Sequence, residues 1–460
     1  MTLKQFFLLL MAATVNMALS AQDTASEWPA TMASGTLPVV YVDTENAAPI
    51  VDKETKIRAT LYITVPDGSD SEPLGSADSP VELTIKGRGN STWLMAKKPY
   101  KIKFESKQQV LGMPKHKHFA LLPLLGGPIS WIAANAGMEL GRLSGMPWAP
   151  RMEACELVLN GRYDGLYFIT ESIKIDKNRL DIFEQDDLCD DPELIKGGWL
   201  VEIDNYDDPC QIVVRENDKQ NLRVTYHTPE ELTEAQRDYL TEQFTLMNEA
   251  IHSGDKLSEY LDVSSIARYF IVREILHDTD GYNGSFYLFK DLGDDAKWNF
   301  GPLWDIVYGG EMTDWIMNDH PDYSAIHWIP EITRTEAFSQ ALHCEWNALM
   351  PKIATLYPFI NNLTERCAEA EKVDYRRWGR GSEPTTVVNG YSLIMGIKHN
   401  IEWIENNMNR MAGLQSPTPA TTSPALWYNL QGVLQSEHSL APGIYIRVDS
   451  EGACKISLSR

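Results

Sequence analysis

The sequence predicts an α+β protein in which a strand-rich half precedes a helix-rich half. As far as about residue 171, short runs rich in β-branched residues alternate between apolar and polar side chains. From about Pro229 the apolar residues recur at helical spacing instead. Short alternating runs return after the segment "QSPTPATTS" at 415–423. This order predicts one α+β domain followed by a small C-terminal β module.

The strands of the first half are predicted one by one from these runs. "LPVVYVDT", "KIRATLYITV" and "VELTIKG" are typical of β-strands. "PYKIKFE" predicts a further strand, because strict alternation places Tyr100, Ile102 and Phe104 on one face and Lys101 and Lys103 on the other.

A helix and a hairpin complete that half. "ISWIAANAGMELGRL" predicts a helix from about Ile129 to Leu143, which Gly145 and Pro147 end. "CELVLNGRYDGLYFITESIK" predicts two strands joined at Asn160-Gly161, a dipeptide typical of tight hairpin turns.

The second half is predicted to be helical apart from one hairpin. "PEELTEAQRDYLTEQFTLMNEAI" and "SSIARYFIVREILHD" repeat their apolar residues with helical period. The hairpin-like "SFYLFKD…KWNFGPLWD" follows them. Further helices are predicted from about Ser339 to Met411.

Charge and cysteine content exclude some classes of function. The chain has 41 Lys and Arg against 64 Asp and Glu, a net charge of −23. Such a surface repels nucleic acid and anionic membranes, so neither is an expected partner. None of the six cysteines has the spacing of a zinc site. Cys189 and Cys210 flank an acidic segment, and whether they form a disulfide stays open.

The first 21 residues have the pattern of a secretory signal peptide. Lys4 precedes an apolar run, and small residues follow at Ala18, Ser20 and Ala21. The run is too short for a typical membrane span. We therefore expect export, to the periplasm, the cell surface or the extracellular space. The mature chain would begin near Ala21 or Gln22, with a linker over 22–37.

The C-terminal segment is predicted to be separate from the main domain. A linker covers 413–424, since proline, threonine and serine dominate it. Residues 425–460, which contain "WYNLQGV" and "PGIYIRV", resemble the C-terminal β tails of many exported proteins of Bacteroidetes bacteria. That resemblance implies a sorting or surface module, and the alternative is an accessory β module without such a role.

Three motifs, in order, give the main domain a family resemblance. "GRGNSTW…KKPYKIKF", "NGRYDGLYFITESI" and "GSFYLFKD…FGPLWD" together resemble the CotH family over roughly residues 38–412. The resemblance implies a two-lobed protein-kinase-like domain. It also implies an atypical protein kinase that uses ATP with Mg²⁺ or Mn²⁺ and transfers the γ-phosphoryl group to Ser or Thr of an exported protein.

Under this resemblance the first motif would bind the nucleotide. Gly87 and Gly89 allow a tight turn whose amides would face phosphate oxygens, and Arg88 would add charge. Lys103 would contact the phosphates, with Lys101 as the second candidate. The alternative is that the turn is only a turn and that the lysines face solvent.

Further nucleotide contacts are expected from two glutamates and a third lysine. Glu139, in the predicted helix, would orient the strand lysine as the helix glutamate of kinases does. Glu171 ends a strand that resembles the one entering a kinase hinge, where backbone groups meet adenine. Lys98 is a weaker phosphate candidate.

The catalytic acid is expected in "HDTDGYNGSFYLF". Asp278 and Asp280 each stand five residues before a possible ligand, Asn283 and Ser285, and kinases separate their base aspartate and metal-binding asparagine by five. The family pattern favours Asp280 as the base, with Asp278 second. The sequence has Ser285 where the family has asparagine, so Asn283 is the expected metal ligand.

Asp305 in "PLWD" is the other expected metal ligand. It follows an apolar strand and stands where a kinase holds its metal-binding aspartate. Many family members have a second acid two residues later, and here that residue is Val307. The alternative is a turn or helix-capping aspartate.

Two classes of function therefore compete. One is an exported ATP-dependent protein kinase. The other is a catalytically silent surface or adhesion protein with the same fold, or a carbohydrate-associated binding protein, since fold does not determine function.

Overall fold

The computed structural model describes residues 27–124, 126–217, 220–254, 256–316, 328–379 and 384–411, and four strands between 426 and 458. The chain divides into two compact units, Met1–Met408 and Asn409–Arg460. The predicted signal peptide and the linker at 413–424 lie outside the described residues.

A closed β-barrel forms the first part of the larger unit. Its seven strands pair in the order β1-β2-β3-β4-β5-β7-β6, and a parallel pairing of β1 with β6 closes it. The interior is filled by apolar side chains such as Ile102, Phe104 and Phe119. The strands are β1 Val39–Thr44, β2 Ile57–Thr64, β3 Val81–Gly87, β4 Tyr100–Val110, β5 Met113–Leu122, β6 Met152–Leu159 and β7 Arg162–Glu171.

The strand β6 runs from Met152 to Leu159, and its hairpin with β7 turns at Asn160-Gly161 as predicted. Both turn residues have positive φ, 51° and 72°, as a two-residue hairpin turn of this hand requires.

The barrel corrects the predicted two-lobed, kinase-like fold. The α+β class holds, but the strand-rich half is a closed barrel and not a kinase-like lobe. The parallel pair between Val39–Val42 and Glu156–Leu159 closes it. These strands are more than 100 residues apart, and alternation within each strand does not encode such a pairing.

A second, antiparallel sheet lies in the same unit. Its strands pair in the order β12-β11-β8-β10-β9, so β8 is central. They are β8 Trp199–Ile203, β9 Gln211–Arg215, β10 Asn221–Thr228, β11 Phe286–Lys290 and β12 Trp298–Phe300. The predicted hairpin from "SFYLFKD" to "KWNF" is the β11–β12 pair.

Helices occupy much of the remaining chain. They are α1 Pro128–Ser144, α2 Glu234–Ser253, α3 Leu257–Tyr260, α4 Val263–Ile275, α5 Ile329–Ile332, α6 Glu336–Leu349, α7 Leu356–Trp378 and α8 Thr386–Met411. The predicted helix at 129–143 is confirmed as α1, which Gly145 ends with φ 86°. Thr233 and Gln236 form a capping box on α2, and Asp262 caps α4.

The barrel and the second sheet meet through an apolar cluster. Ala120 and Leu122 of β5 pack with Trp304, and Tyr287 of β11 lies against this cluster. The outer face of the barrel wall is therefore held close to one face of the second sheet. Side chains from both sheets come together there.

The smaller unit contains a four-stranded antiparallel sheet in the order β14-β13-β15-β16. Its strands are β13 Leu426–Tyr428, β14 Leu434–Gln435, β15 Gly443–Asp449 and β16 Gly452–Leu458. The role of residues 425–460 as a sorting or surface module stays a prediction.

Two further expectations concern the cysteines and the membrane. Cys189 and Cys210 are both free thiols, so the disulfide left open between them is not formed. No helix among the described residues is long and apolar enough to cross a membrane.

Candidate functional site

A buried arginine on α4 organises the region that contains the predicted acids. Arg273 is 1% exposed, and its guanidinium donates to the carboxylate of Asp278, the hydroxyl of Tyr269 and the carbonyl oxygens of Trp304 and Asp305. A single side chain thus joins the loop after α4 to the loop after β12. Sequence reasoning missed this residue, although a charged residue within the apolar stretch "YFIVREIL" was the available signal.

Asp278 is a structural partner of that arginine. It is fully buried, and its second oxygen accepts the backbone N–H of Asp280 at 3.1 Å. Burial raises the pKa of Asp278, and the charge of Arg273 opposes the rise. Because both of its oxygens are engaged, Asp278 fixes the loop, and Asp280 stays the predicted base.

Asp280 lies on the exposed side of the same loop. Its carboxylate accepts a hydrogen bond from the side-chain amide of Asn283 at 3.0 Å. Asn205, which follows β8, donates in turn to the side-chain oxygen of Asn283 at 3.2 Å. Gly281 is required next to Asp280, because a Cβ there would lie 2.7 Å from the Cδ of Arg273.

Asp305 combines three unusual properties. Its backbone is left-handed, with φ 49°, a conformation that aspartate tolerates better than most residues. Its carboxylate has no hydrogen-bond or ion-pair partner within the described part of the chain. Burial, and then the charge of Asp280, raise the pKa of Asp305, while Arg88 and Arg273 oppose the rise. The side chain as a whole is exposed to solvent, so its carboxylate is open to a ligand.

Arg88 supplies a cation beside these acids. It follows β3, is half-buried, and its guanidinium lies 5.2 Å from the centre of the Trp304 ring. Burial lowers the pKa of Arg88, and the charges of Tyr287, Asp305 and Glu202 oppose that effect. No carboxylate of the described residues forms an ion pair with it. An unpaired cation and an unpaired carboxylate therefore lie close enough for their charges to interact.

The second sheet forms the other wall of the site. Glu202 of β8 and Tyr287 of β11 are directly opposite each other in the register. Burial, and then the carboxylate of Glu202, raise the pKa of Tyr287 well above its ordinary value, and the Nε2 of His227 lies 2.7 Å from the same carboxylate. Sequence reasoning missed this group. A buried acid in "GGWLVEID" was its only local signal.

The glycine-rich turn has a packing role that the sequence did not reveal. A Cβ at Gly87 would lie 2.5 Å from the Trp93 ring, and one at Gly89 would lie 2.2 Å from the Thr92 hydroxyl. The amides of Gly87 and Arg88 donate to the carbonyl oxygens of Asp52 and Pro99. These two amides are thus engaged within the protein, and the phosphate contact expected of this turn stays a prediction.

The strand lysines differ in their distance from the site. Lys101 lies among Lys174, Lys86 and Arg88, and burial together with these charges lowers the pKa of Lys101 to about 8. Lys103 is one step further along β4 and is exposed. Lys98 donates to the carbonyl oxygen of Trp93 at 2.6 Å and is occupied there.

The two glutamates expected at the nucleotide are engaged elsewhere. Glu139 forms its ion pair with Arg142 at 2.7 Å, and the described contacts do not join it to either strand lysine. Glu171 is fully buried at the end of β7 and accepts the backbone N–H of Arg151 at 2.9 Å. Burial raises the pKa of Glu171. Neither pairing was apparent from the sequence.

The carboxylates of Asp280 and Asp305 are of the chemical type that holds magnesium or manganese. Within the described residues no group of three or more His, Cys, Asp or Glu residues converges as a metal site. Mg²⁺, however, commonly uses only one or two carboxylates, with water and substrate phosphates completing its shell. The unpartnered carboxylate of Asp305 and the nearby charge of Asp280 provide such a donor set.

Comparison with known proteins identifies the family. The family model described as CotH kinase protein matches residues 85–411, well over half of the 460-residue chain. No curated protein matches the chain. The matched region contains Arg88, Asp280, Asn283 and Asp305, and the chain belongs to the CotH family.

Proposed function

We propose that this protein is an ATP-dependent protein kinase that transfers the γ-phosphoryl group to a Ser or Thr hydroxyl. The observation that carries the proposal is the pair of unpartnered charges, Arg88 over Trp304 and Asp305 at the left-handed turn. A metal–phosphate group has the complementary charges, since its metal would meet Asp305 and its phosphate oxygens would meet Arg88.

Asp280 is the proposed base. It is exposed beside Asp305 and fixed by Asn283, so it can orient an acceptor hydroxyl and take its proton. Arg273 and Asp278 hold the two loops in place, which keeps the acids within reach of one phosphoryl group. Asn283 remains the second proposed metal ligand, and its side-chain amide nitrogen already bonds to Asp280.

Arg88 takes the place of the lysine expected on the phosphates. Lys101 adjoins it and is the next cation along the barrel wall. The predicted signal peptide suggests that the acceptor is an exported protein, since enzyme and acceptor would meet outside the cytoplasm. Terminal sequencing of protein recovered from the culture medium or envelope tests this, and a chain that still begins at Met1 contradicts it.

The test is phosphoryl transfer by purified protein with ATP and Mg²⁺ or Mn²⁺. We expect intact mass to rise by one or more phosphoryl groups, and calorimetry to show metal-dependent ATP binding. Asp305→Asn should lose both. Asp295→Asn is the matched control, because Asp295 is exposed in the turn between β11 and β12, away from the site. A wild-type protein that neither binds ATP nor changes mass contradicts the proposal and favours the catalytically silent binding protein.

A further inference from the structure

A group of basic side chains covers the outer face of the barrel next to Arg88. Lys86 of β3 lies directly opposite Lys101 of β4, and Lys103 lies opposite His118 of β5. Directly opposed side chains on a sheet have Cβ atoms about 5 Å apart, and like charges at that distance are destabilising. The concentration of positive charge is unexpected in a chain of net charge −23.

Glu54 lies 4.0 Å from the Nζ of Lys86, and a second carboxylate lies beside Lys174. Glu230, on the connection between β10 and α2, accepts a hydrogen bond from the Nζ of Lys174 at 2.9 Å. That bond, the charge of Lys174 and then the charges of Lys101 and His118 lower the pKa of Glu230. Lys174 and Lys101 thus favour a negative charge at the same place, whereas burial lowers the pKa of His118 to about 3 and leaves its ring neutral.

The contact between Lys174 and Glu230 is easily broken. The Glu230 side chain is 70% exposed, whereas that of Lys174 is 23% exposed. Surface ion pairs of this kind contribute little to stability, so another anion can replace the glutamate at small cost. Lys101 has no ion-pair partner within the described part of the chain and would gain one.

We propose that Lys101 and Lys174 form an anion site for an acidic or phosphorylated side chain of the acceptor polypeptide, and that Glu230 occupies it at rest. The inference rests on the proposed function, because it names the class of acceptor. Lys101 lies close enough to Arg88 for their charges to interact. A polypeptide that reached both places would run along the barrel wall, and an extended chain advances about 3.3 Å per residue.

The experiment measures binding of labelled serine peptides without nucleotide. One peptide carries glutamates beside the serine, one carries phosphoserine and one carries lysines. We expect the two anionic peptides to bind and the lysine peptide not to bind, and the two anionic arms show whether carboxylate or phosphate is preferred. Lys174→Gln should weaken binding of the anionic peptides by about tenfold, and Glu230→Gln should strengthen it severalfold. Glu231→Gln, an exposed neighbour, is the matched control.

Two results would overturn the site. One is equal binding of acidic and basic peptides, and the other is anionic-peptide binding that Glu230→Gln leaves unchanged or weakens. A Glu230→Gln protein that gains as much affinity for ATP as for the peptides would assign these cations to the nucleotide and overturn the acceptor site. Failure of the proposed function is separable, because it would show as peptide binding without transfer from ATP.

Discussion

Two arginine–aspartate combinations lie around the same loops, and they differ in one respect. Arg273 and Asp278 are both buried and are bonded to each other. Arg88 and Asp305 interact through their charges but form no ion pair. The charges of Arg273 and Asp278 neutralise each other and are not available to a ligand. The charges of Arg88 and Asp305 are available. The difference separates charges that hold the site together from charges that are available to substrate.

The largest expected change is in the free energy of unfolding when the buried pair Arg273–Asp278 is broken. Asp278→Asn leaves Arg273 buried without its counter-charge, and breaking a buried pair in this way costs about 3–5 kcal/mol. Urea unfolding should show this loss, and transfer should fall with it because the loops move. Asp295→Asn serves as the control for loss of one negative charge. Unchanged unfolding would show that Asp278 is not the structural member of the two.

A smaller effect, on chemistry alone, is expected at Asp280. Asp280→Asn removes the base and keeps an oxygen that can still accept from Asn283. Transfer should fall by a factor on the order of 10² or more, because general-base catalysis contributes that much. ATP affinity and the urea midpoint should stay close to wild type. A variant that transfers at the wild-type rate would remove Asp280 from the mechanism.

At Arg88 the expected effect is on affinity. Arg88→Gln removes a charge-assisted contact with phosphate, which contributes about 1.5–3 kcal/mol, so ATP should bind at least about tenfold more weakly. Stability should hardly change, since the guanidinium has no ion-pair partner to lose among the described residues. Lys103→Met tests, by the same measurement of ATP affinity, the phosphate contact that the sequence predicts for Lys103. If Lys103→Met weakens ATP binding and Arg88→Gln does not, the lysine and not the arginine contacts the phosphates.

Local patterns predicted the elements of this fold better than their arrangement. Helix α1, the hairpin at Asn160-Gly161 and the β11–β12 hairpin follow from periodicity and turn chemistry. The barrel does not, because the β1–β6 pairing joins distant strands. Site residues divide in the same way. Motifs pointed to Asp280 and Asp305, whereas Glu202 is brought to them only by the register of β8 against β11.

The smallest expected effect is the contribution of Asp305 to the pH dependence of the protein's stability. Asp305 has a raised pKa, so the folded protein binds this proton more tightly than the unfolded chain, in which an aspartate has a pKa of about 3.9. Wild-type stability should therefore fall as pH rises through the interval between the unfolded and folded values, and the loss is complete above the folded value. Asparagine at position 305 does not titrate, and it also tolerates the left-handed backbone. The stability of Asp305→Asn relative to wild type should therefore increase over that pH interval.

Urea midpoints from pH 4 to 7, corrected with Asp295→Asn, measure this increase. Because the charge of Asp280 contributes to the raised pKa, the gain should shrink in an Asp280→Asn background. A difference in urea midpoint between variant and wild type that stays constant at all pH values would contradict this. It would mean that Asp305 is ion-paired in solution, as Asp278 is with Arg273.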